Sequence, residues 1–213
     1  MRRSFRLPRV YPITDTQISG LSHAEQVALF ADGGATVVQL RDKHASSLRF
    51  YEQAKAALDV ANKRGVQLII NDRVDIALAI GAAGVHLGQD DLAPEAARRL
   101  LGDDAIIGYS THSQPQLVEA IKLPVDYVAF GPIFQTATKE NPDPVVGLAG
   151  LRTIREAIGN GPLVAIGGIT LTNARSVIDA GADSVALIRG LLAEPQRISD
   201  TFRSLLASLS TPK

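Results

Sequence analysis

Eight short apolar runs recur along the chain: VYPIT (10–14), TVVQL (36–40), QLIIN (67–71), GVHLG (84–88), AIIGY (105–109), DYVAF (126–130), PLVAI (162–166) and SVALI (184–188). They are rich in Val and Ile and nearly unbroken, rather than alternating between apolar and polar. A strand covered on both faces reads this way, as in a parallel sheet. Between the runs lie helical patterns. SHAEQVALFADGG (22–34) sets Ser22 and Glu25 at capping-box spacing and closes on glycine. Over 46–64, Tyr51, Ala54, Leu58 and Ala61 recur at intervals of three and four, one helix face. Asp72 with Asp75 can start a helix running to 82, and Pro94 stands where a first-turn proline is tolerated. Further helical patterns cover 113–121, 148–158, 172–180 and 194–209.

Strict alternation of eight strands with eight helices predicts an α/β protein, a single-domain (β/α)8 TIM barrel over 1–213 with 1–8 as a basic N-terminal tail. At 213 residues most loops must be tight. The competing architecture is a doubly wound open sheet. Its dinucleotide-binding form needs G-x-G-x-x-G after the first strand, where this chain reads DTQISGLS.

Composition removes several function classes. There are no cysteines, which excludes disulfides, thiolate chemistry and Cys-based zinc sites and suits a reducing compartment. The 22 basic and 22 acidic residues cancel, so no general nucleic-acid footprint is expected. The start, MRRSFRLPRVYP, is basic but lacks the apolar core of a signal peptide, and its arginines read as a solvated tail. No apolar run approaches the ~20 residues that span a bilayer.

In such a barrel, chemistry collects on the loops that follow the strands. Here the strands run into TD, QLRDK, ND, GQDD, STH, a long loop GPIFQTATKENPDPVVGLAG (131–150), GGIT and RG. The leads into the strands are plainer: GGA, RGV, GAA, LPV, GNG and AGA. The polar end gathers the cations Arg41, Lys43, Lys139 and Arg189, the anions Asp72, Asp90 and Asp91, and the hydroxyls of Ser110, Thr136 and Thr138. Cations, paired carboxylates and donor-rich loops suit a phosphorylated ligand with Mg2+, which takes hard oxygen ligands and often only one or two carboxylates. The two glycines of AIGGIT can bring backbone N–H groups close to a phosphate, or serve only packing and the turn. Asp72 could also be only an N-cap. Of Asp90 and Asp91, one is expected to cap the next helix and the other to face the mouth. His86 reads as a hydrogen-bonded core histidine, His23 and His44 as surface residues, and His112, at the polar end, as an acid–base candidate.

The segments YPITD, VVQLRDK, LIINDRVDIAL, GVHLGQDD, IGYSTHS, DYVAFGPIFQTATK, VAIGGI and AGADSVAL resemble, in this order, the thiamine phosphate synthase family, within a wider group that includes the TenI thiazole tautomerase. The resemblance spans nearly the whole chain. It implies a (β/α)8 barrel and a transferase of thiamine biosynthesis. That enzyme joins 4-amino-2-methyl-5-pyrimidinylmethyl diphosphate to a thiazole phosphate and releases pyrophosphate. Carried over by position, it implies that Gln39, Arg41, Lys43 and Asn71 hold the pyrimidine diphosphate. Asp72 and Asp91 would bind Mg2+, and Ser110 and Lys139 would act on the pyrimidine substrate and its diphosphate. Thr136, Thr138, Gly168, Ile188 and Arg189 would take the thiazole phosphate. The long loop is then expected to reach both substrates, to be mobile when empty and to close on ligand.

Two positions depart from the family pattern: Arg189 stands where serine is usual, and Gln135 where proline commonly precedes the first threonine. The partners implied are small molecules, with no nucleic acid and no membrane, in the cytoplasm. A homo-oligomer stays open. The alternatives are a TenI-like tautomerase using His112, and a non-catalytic binder of thiazole or thiamine phosphates. Neither needs the full set of Lys43, Asp72, Asp91, Thr138 and Lys139.

Overall fold

The computed structural model describes residues 5–136 and 143–210. In chain order the elements are β1 (Val10–Pro12), α1 (Thr16–Ser19), α2 (His23–Asp32), β2 (Val37–Leu40), α3 (Ser47–Arg64), β3 (Gln67–Asn71), α4 (Val74–Ile80), β4 (Gly84–Leu87) and α5 (Pro94–Leu101). They continue with β5 (Ile106–Thr111), α6 (Gln114–Ala120), β6 (Tyr127–Phe130), α7 (Gly147–Ile158), β7 (Leu163–Ala165), α8 (Ala174–Asp179), β8 (Ser184–Leu187), α9 (Arg189–Leu192) and α10 (Ile198–Ser210), the last led in by a 3-10 turn at Pro195–Arg197. All eight strands pair in parallel in the order β1-β8-β7-β6-β5-β4-β3-β2. A parallel bridge from Ile13 to Gln39, with Thr14 N donating to Gln39 O at 2.9 Å, joins the two ends into a barrel.

The unbroken apolar runs have a simple cause. Along each strand one residue faces the barrel interior and the next faces the helices, and both places are dry. In β2, Val37 belongs to the inner cluster, while Val38 and Leu40 belong to the outer core under the helices. In β6, Tyr127 and Ala129 face in, and Val128 and Phe130 face out. Gln39, Asn71 and Ser110 each lie two residues beyond an inner position, at Val37, Ile69 and Gly108. The interior is thus apolar at its amino end and polar toward the mouth.

The helix boundaries follow their caps. Ser22 Oγ accepts from Glu25 N, and the Glu25 carboxylate accepts from Ser22 N at 2.8 Å, the capping box expected before α2. Ser46 caps α3 and Ser113 caps α6. The buried face of α3 is Phe50, Ala54, Ala57 and Ala61, one step round from the face read in the sequence; Tyr51 and Leu58 sit at its edge. Two four-residue helices, α1 and α9, were not anticipated, being too short to show a 3.6-residue period.

Of the basic tail expected over 1–8, residues 1–4 lie outside the described residues. Phe5 and Leu7 pack against the inner cluster, the Phe5 ring 5.8 Å from that of Tyr127. They close the amino end of the barrel, while Arg6 between them is exposed, as read for the arginines of the tail.

That end also carries two matched clamps. Arg98 donates to the carbonyls of Gly102, Asp103, Ala105 and Pro124 and to Asp126 Oδ2 at 2.8 Å, and the same carboxylate oxygen accepts from Ile107 N. Arg155 donates to the carbonyls of Gly159, Gly161 and Gly181 and to Asp183 Oδ2, which accepts from Leu163 N. Each arginine ties the end of its helix to the starts of the next two strands. No helix among the described residues is long and apolar enough to cross a membrane.

Candidate active site at the carboxyl ends of the strands

A cavity of about 920 Å³ opens at the carboxyl end of the barrel. Gln39, Arg41, Lys43, Asn71, Asp72, Asp91, Ser110, Thr136, Gly168, Ile188 and Arg189 all line it. The structure therefore brings together every site residue expected from the sequence, apart from Thr138 and Lys139, which lie outside the described residues. Residues 137–142 of the long loop, where its expected mobility and closure would show, lie outside them too.

The carboxylates are set by backbone geometry. Asp72 is the only non-glycine residue among those described with positive φ, 63°. Its N–H donates to His86 O at 2.8 Å, and Arg73 N donates to Asn71 O at 2.8 Å. This tight turn ends β3 with the Asp72 carboxylate paired to Lys43 Nζ. A non-glycine residue held in the left-handed region is a feature that collects at functional sites. Asp72 does not cap α4: the N-cap is Arg73, with no side-chain hydrogen bond.

Neither Asp90 nor Asp91 caps α5, whose N-cap is Ala93. Asp91 Oδ2 instead accepts from Gly88 N at 2.7 Å, inside the loop that follows β4. Burial holds the Asp91 carboxyl above the usual carboxylate range, and the neighbouring Asp72 adds to the rise, while Gly88 N–H and the Lys43 charge oppose it. Two carboxylates this close repel unless a proton or a cation sits between them.

Among the described residues no group of three or more His, Cys, Asp or Glu side chains is placed to hold a metal. Two carboxylates still fit Mg2+, which usually fills its remaining positions with water and ligand phosphate. The two carboxylates offer hard oxygen; of the imidazoles on the cavity wall, His86 has both nitrogens bonded and His112 holds Gly131 O through Nδ1. Arg41 lies 3.9 Å from Asp15 and faces the same mouth. Arg189 stands at the first turn of α9, exposed on the cavity, with no ion pair among the described residues.

Both readings of the glycine pair have a structural basis. Gly168 has φ 64°, and a Cβ there would sit 2.5 Å from Gln135 O and 2.7 Å from Phe134 Cβ. Only glycine lets the turn after β7 pack under the loop after β6. The same residue lines the cavity.

Of the four histidines, His23 is the one whose place departs from its sequence reading. His23 is fully buried, contrary to its reading as a surface residue. Thr14 Oγ1 lies 2.7 Å from its Nδ1 and accepts from Arg41 N at 3.3 Å, so His23 braces the strand end that carries Arg41. Its Nε2 lies 3.7 Å from Asp42. His44 is exposed, as expected. His112 Nδ1 is 2.8 Å from Gly131 O, and a carbonyl can only accept, so this nitrogen carries a proton.

His86 is a core histidine with both nitrogens bonded, Nδ1 to Tyr127 Oη at 3.0 Å and Nε2 to Ser110 Oγ at 2.8 Å. It also lines the cavity. Burial pushes its pKa from 6.5 down to about 4, against a weaker pull from Asp91. The unfolded chain therefore binds a proton that the folded chain refuses. Stability from this group is intact above pH 6.5 and falls as pH drops toward 4, by about 3 kcal/mol in all. Urea titrations at pH 7.0 and 4.5 are expected to show a smaller difference for His86→Gln than for the wild type. Equal differences would contradict the assignment.

Sequence reasoning missed Tyr11, Tyr127 and Gln89, whose Nε2 donates to Ser110 O at 2.6 Å. The only signal for the tyrosines is their place at inner positions of VYPIT and DYVAF.

A barrel that is apolar at one end, with a mouth rich in cations and carboxylates at the other, defines a TIM-barrel enzyme acting on small molecules. The family pattern described as thiamine monophosphate synthase matches residues 10–191. The chain is 48% identical over 217 residues to the thiamine-phosphate synthase of Koribacter versatilis, covering 98% of this chain and 100% of that one. It is 45% identical over 186 residues to that of Chloroflexus aurantiacus, covering 87% and 85%. The thiamine phosphate pyrophosphorylase of Pyrococcus furiosus superposes with a TM-score of 0.83 at 34% identity, covering 95% of this chain and 97% of that one. The chain belongs to the thiamine monophosphate synthase family.

Proposed function

We propose that this chain is a magnesium-dependent thiamine-phosphate synthase, working in the cytoplasm, where its lack of cysteine suits a reducing environment. It joins 4-amino-2-methyl-5-pyrimidinylmethyl diphosphate to a thiazole phosphate. The observation that carries the reading is the meeting of Asp72 and Asp91 beside Lys43 at the mouth of the barrel.

The bond that breaks joins the pyrimidinylmethyl carbon to a diphosphate oxygen, and the bond that forms joins that carbon to the thiazole ring nitrogen. The 4-amino group stabilises the cation left on the pyrimidine, so the protein supplies no nucleophile. Its work is to hold the thiazole nitrogen against the reacting carbon and to offset charge on the departing diphosphate. Mg2+ held by Asp72 and Asp91 would supply part of that charge when bound. Lys43, Arg41 and Lys139 supply the rest. Gln39 and Asn71 orient the pyrimidine diphosphate, and Ser110 donates to it. Thr136, Thr138, Gly168 and the backbone at Ile188 and Arg189 hold the thiazole phosphate. The Arg189 guanidinium adds a charge there that the usual serine lacks.

An assay with both substrates tests this. Pyrophosphate release in step with thiamine phosphate, abolished by EDTA and restored by MgCl2, is expected. Isomerisation of the thiazole without pyrophosphate would mark a tautomerase, and binding without turnover a non-catalytic protein.

A further inference from the structure

A line of hydrogen bonds crosses the barrel interior just beneath the cavity. Gln39 Nε2 donates to Tyr11 Oη at 3.4 Å; Tyr11 Oη and Tyr127 Oη are 2.8 Å apart. Tyr127 Oη is 3.0 Å from His86 Nδ1, and His86 Nε2 is 2.8 Å from Ser110 Oγ. Gln39, Tyr11, Tyr127 and His86 are all buried. Gly108 makes the line possible, because a Cβ there would lie 2.1 Å from Tyr127 Cζ and 2.5 Å from His86 Nδ1. Its missing side chain is the space through which the Tyr127 ring reaches His86.

Each member has one proton to give along this line, and that fixes its direction. Tyr11 accepts from the Gln39 amide, so its own proton goes to Tyr127. Tyr127 then gives its proton to His86 Nδ1. A neutral imidazole that accepts at Nδ1 carries its proton at Nε2. Burial keeps both phenols protonated, with Tyr11 raised to about 12 and Tyr127 well above its usual value. Ser110 Oγ therefore accepts from His86 Nε2–H, and its hydroxyl proton is left to point outward.

We infer that the line Gln39–Tyr11–Tyr127–His86 makes Ser110 a dedicated hydrogen-bond donor to the cavity, with Tyr127 and His86 as positioning residues. The ligand atom that meets Ser110 is then an acceptor without a proton, a phosphoryl oxygen or an unprotonated ring nitrogen. Ser110 keeps one more lone pair after accepting from His86, so a ligand N–H is not barred, but only an acceptor satisfies the outward-pointing proton. The inference rests on the synthase reading only for the identity of that ligand. The direction of the line belongs to the empty protein.

Nitrogen-15 NMR of the labelled wild type at pH 7 reads the direction without any substrate. His86 is assigned by the signal lost in His86→Gln. A bare Nδ1 and a protonated Nε2 are expected. The opposite tautomer, or a charged ring, would overturn the inference.

Turnover gives a second readout. Ser110→Ala and His86→Leu are each expected to lower kcat about tenfold or more, and the double variant no more than the worse single one, since both remove one donor. His86→Gln keeps an N–H in place and is expected to restore most of kcat. Losses that multiply in the double variant, or a glutamine no better than leucine, would also overturn it. Tyr127→Phe, which keeps the ring in its packing, guards against a misfolded leucine variant: it is expected to disturb the His86 tautomer signal, and an unchanged signal counts against the line. Should the wild type make no thiamine phosphate, the synthase reading fails and the tautomer measurement still decides the inference.

Discussion

Lys43→Ala is expected to lower kcat for thiamine phosphate formation by about 10²–10³-fold, the usual cost of removing one preorganised group from a site of developing negative charge. The Lys43 ammonium reaches Asp72 at the mouth and is half exposed. An ion pair this open contributes at most about 1 kcal/mol to folding. Catalysis and stability therefore separate at this residue: turnover collapses while the denaturation midpoint barely moves. Stopped assays for pyrophosphate together with urea unfolding give both numbers. A kcat within threefold of the wild type would remove Lys43 from charge neutralisation.

Arg98→Ala is expected to do the reverse, destabilising the barrel by about 3–5 kcal/mol, as when one partner of a buried ion pair is removed. The Arg98 side chain is 9% exposed, and its guanidinium serves four carbonyls besides Asp126. Alanine leaves the buried groups of that cluster without a donor and leaves Asp126 without its countercharge. The clamp sits at the amino end of the strands, away from the cavity, so kcat measured well below the melting temperature is expected to stay near the wild-type value. Arg155 repeats the arrangement with a more open side chain, 21% exposed, and a smaller loss is expected there. Urea unfolding of the two single variants checks the order. An Arg98 variant as stable as the wild type would show that the clamp follows from the fold rather than supporting it.

The architecture was legible because a barrel strand is dry on both faces, so each strand prints a short unbroken apolar run such as QLIIN or DYVAF. The site was legible because Arg41, Lys43, Asp72, Asp91 and Ser110 each follow a run, and the barrel places everything that follows a run on one rim. What escaped were features without local period. Tyr11 and Tyr127 meet across 116 residues, and His86 and Tyr127 across 41. The arginine clamps join positions 28 residues apart. His23 was read as exposed because it opens a helix beside polar residues. Its burial comes from Thr14 and Asp42 in two other segments. For Asp72, expected to hold Mg2+, the sequence also leaves a helix cap open, because aspartate before a helix often is one. Its left-handed backbone, φ 63°, turns the carboxylate to Lys43 instead.

The account turns on whether the facing carboxylates and the cations beside them form one receptor for a diphosphate. Calorimetric titration of pyrophosphate into the wild type and into Asp72→Asn, each with MgCl2 and with EDTA, reads this without catalysis. The predicted result is binding by the wild type that weakens at least tenfold when magnesium is removed, and a variant that gains little from the metal. Equal affinity in all four titrations would contradict the account.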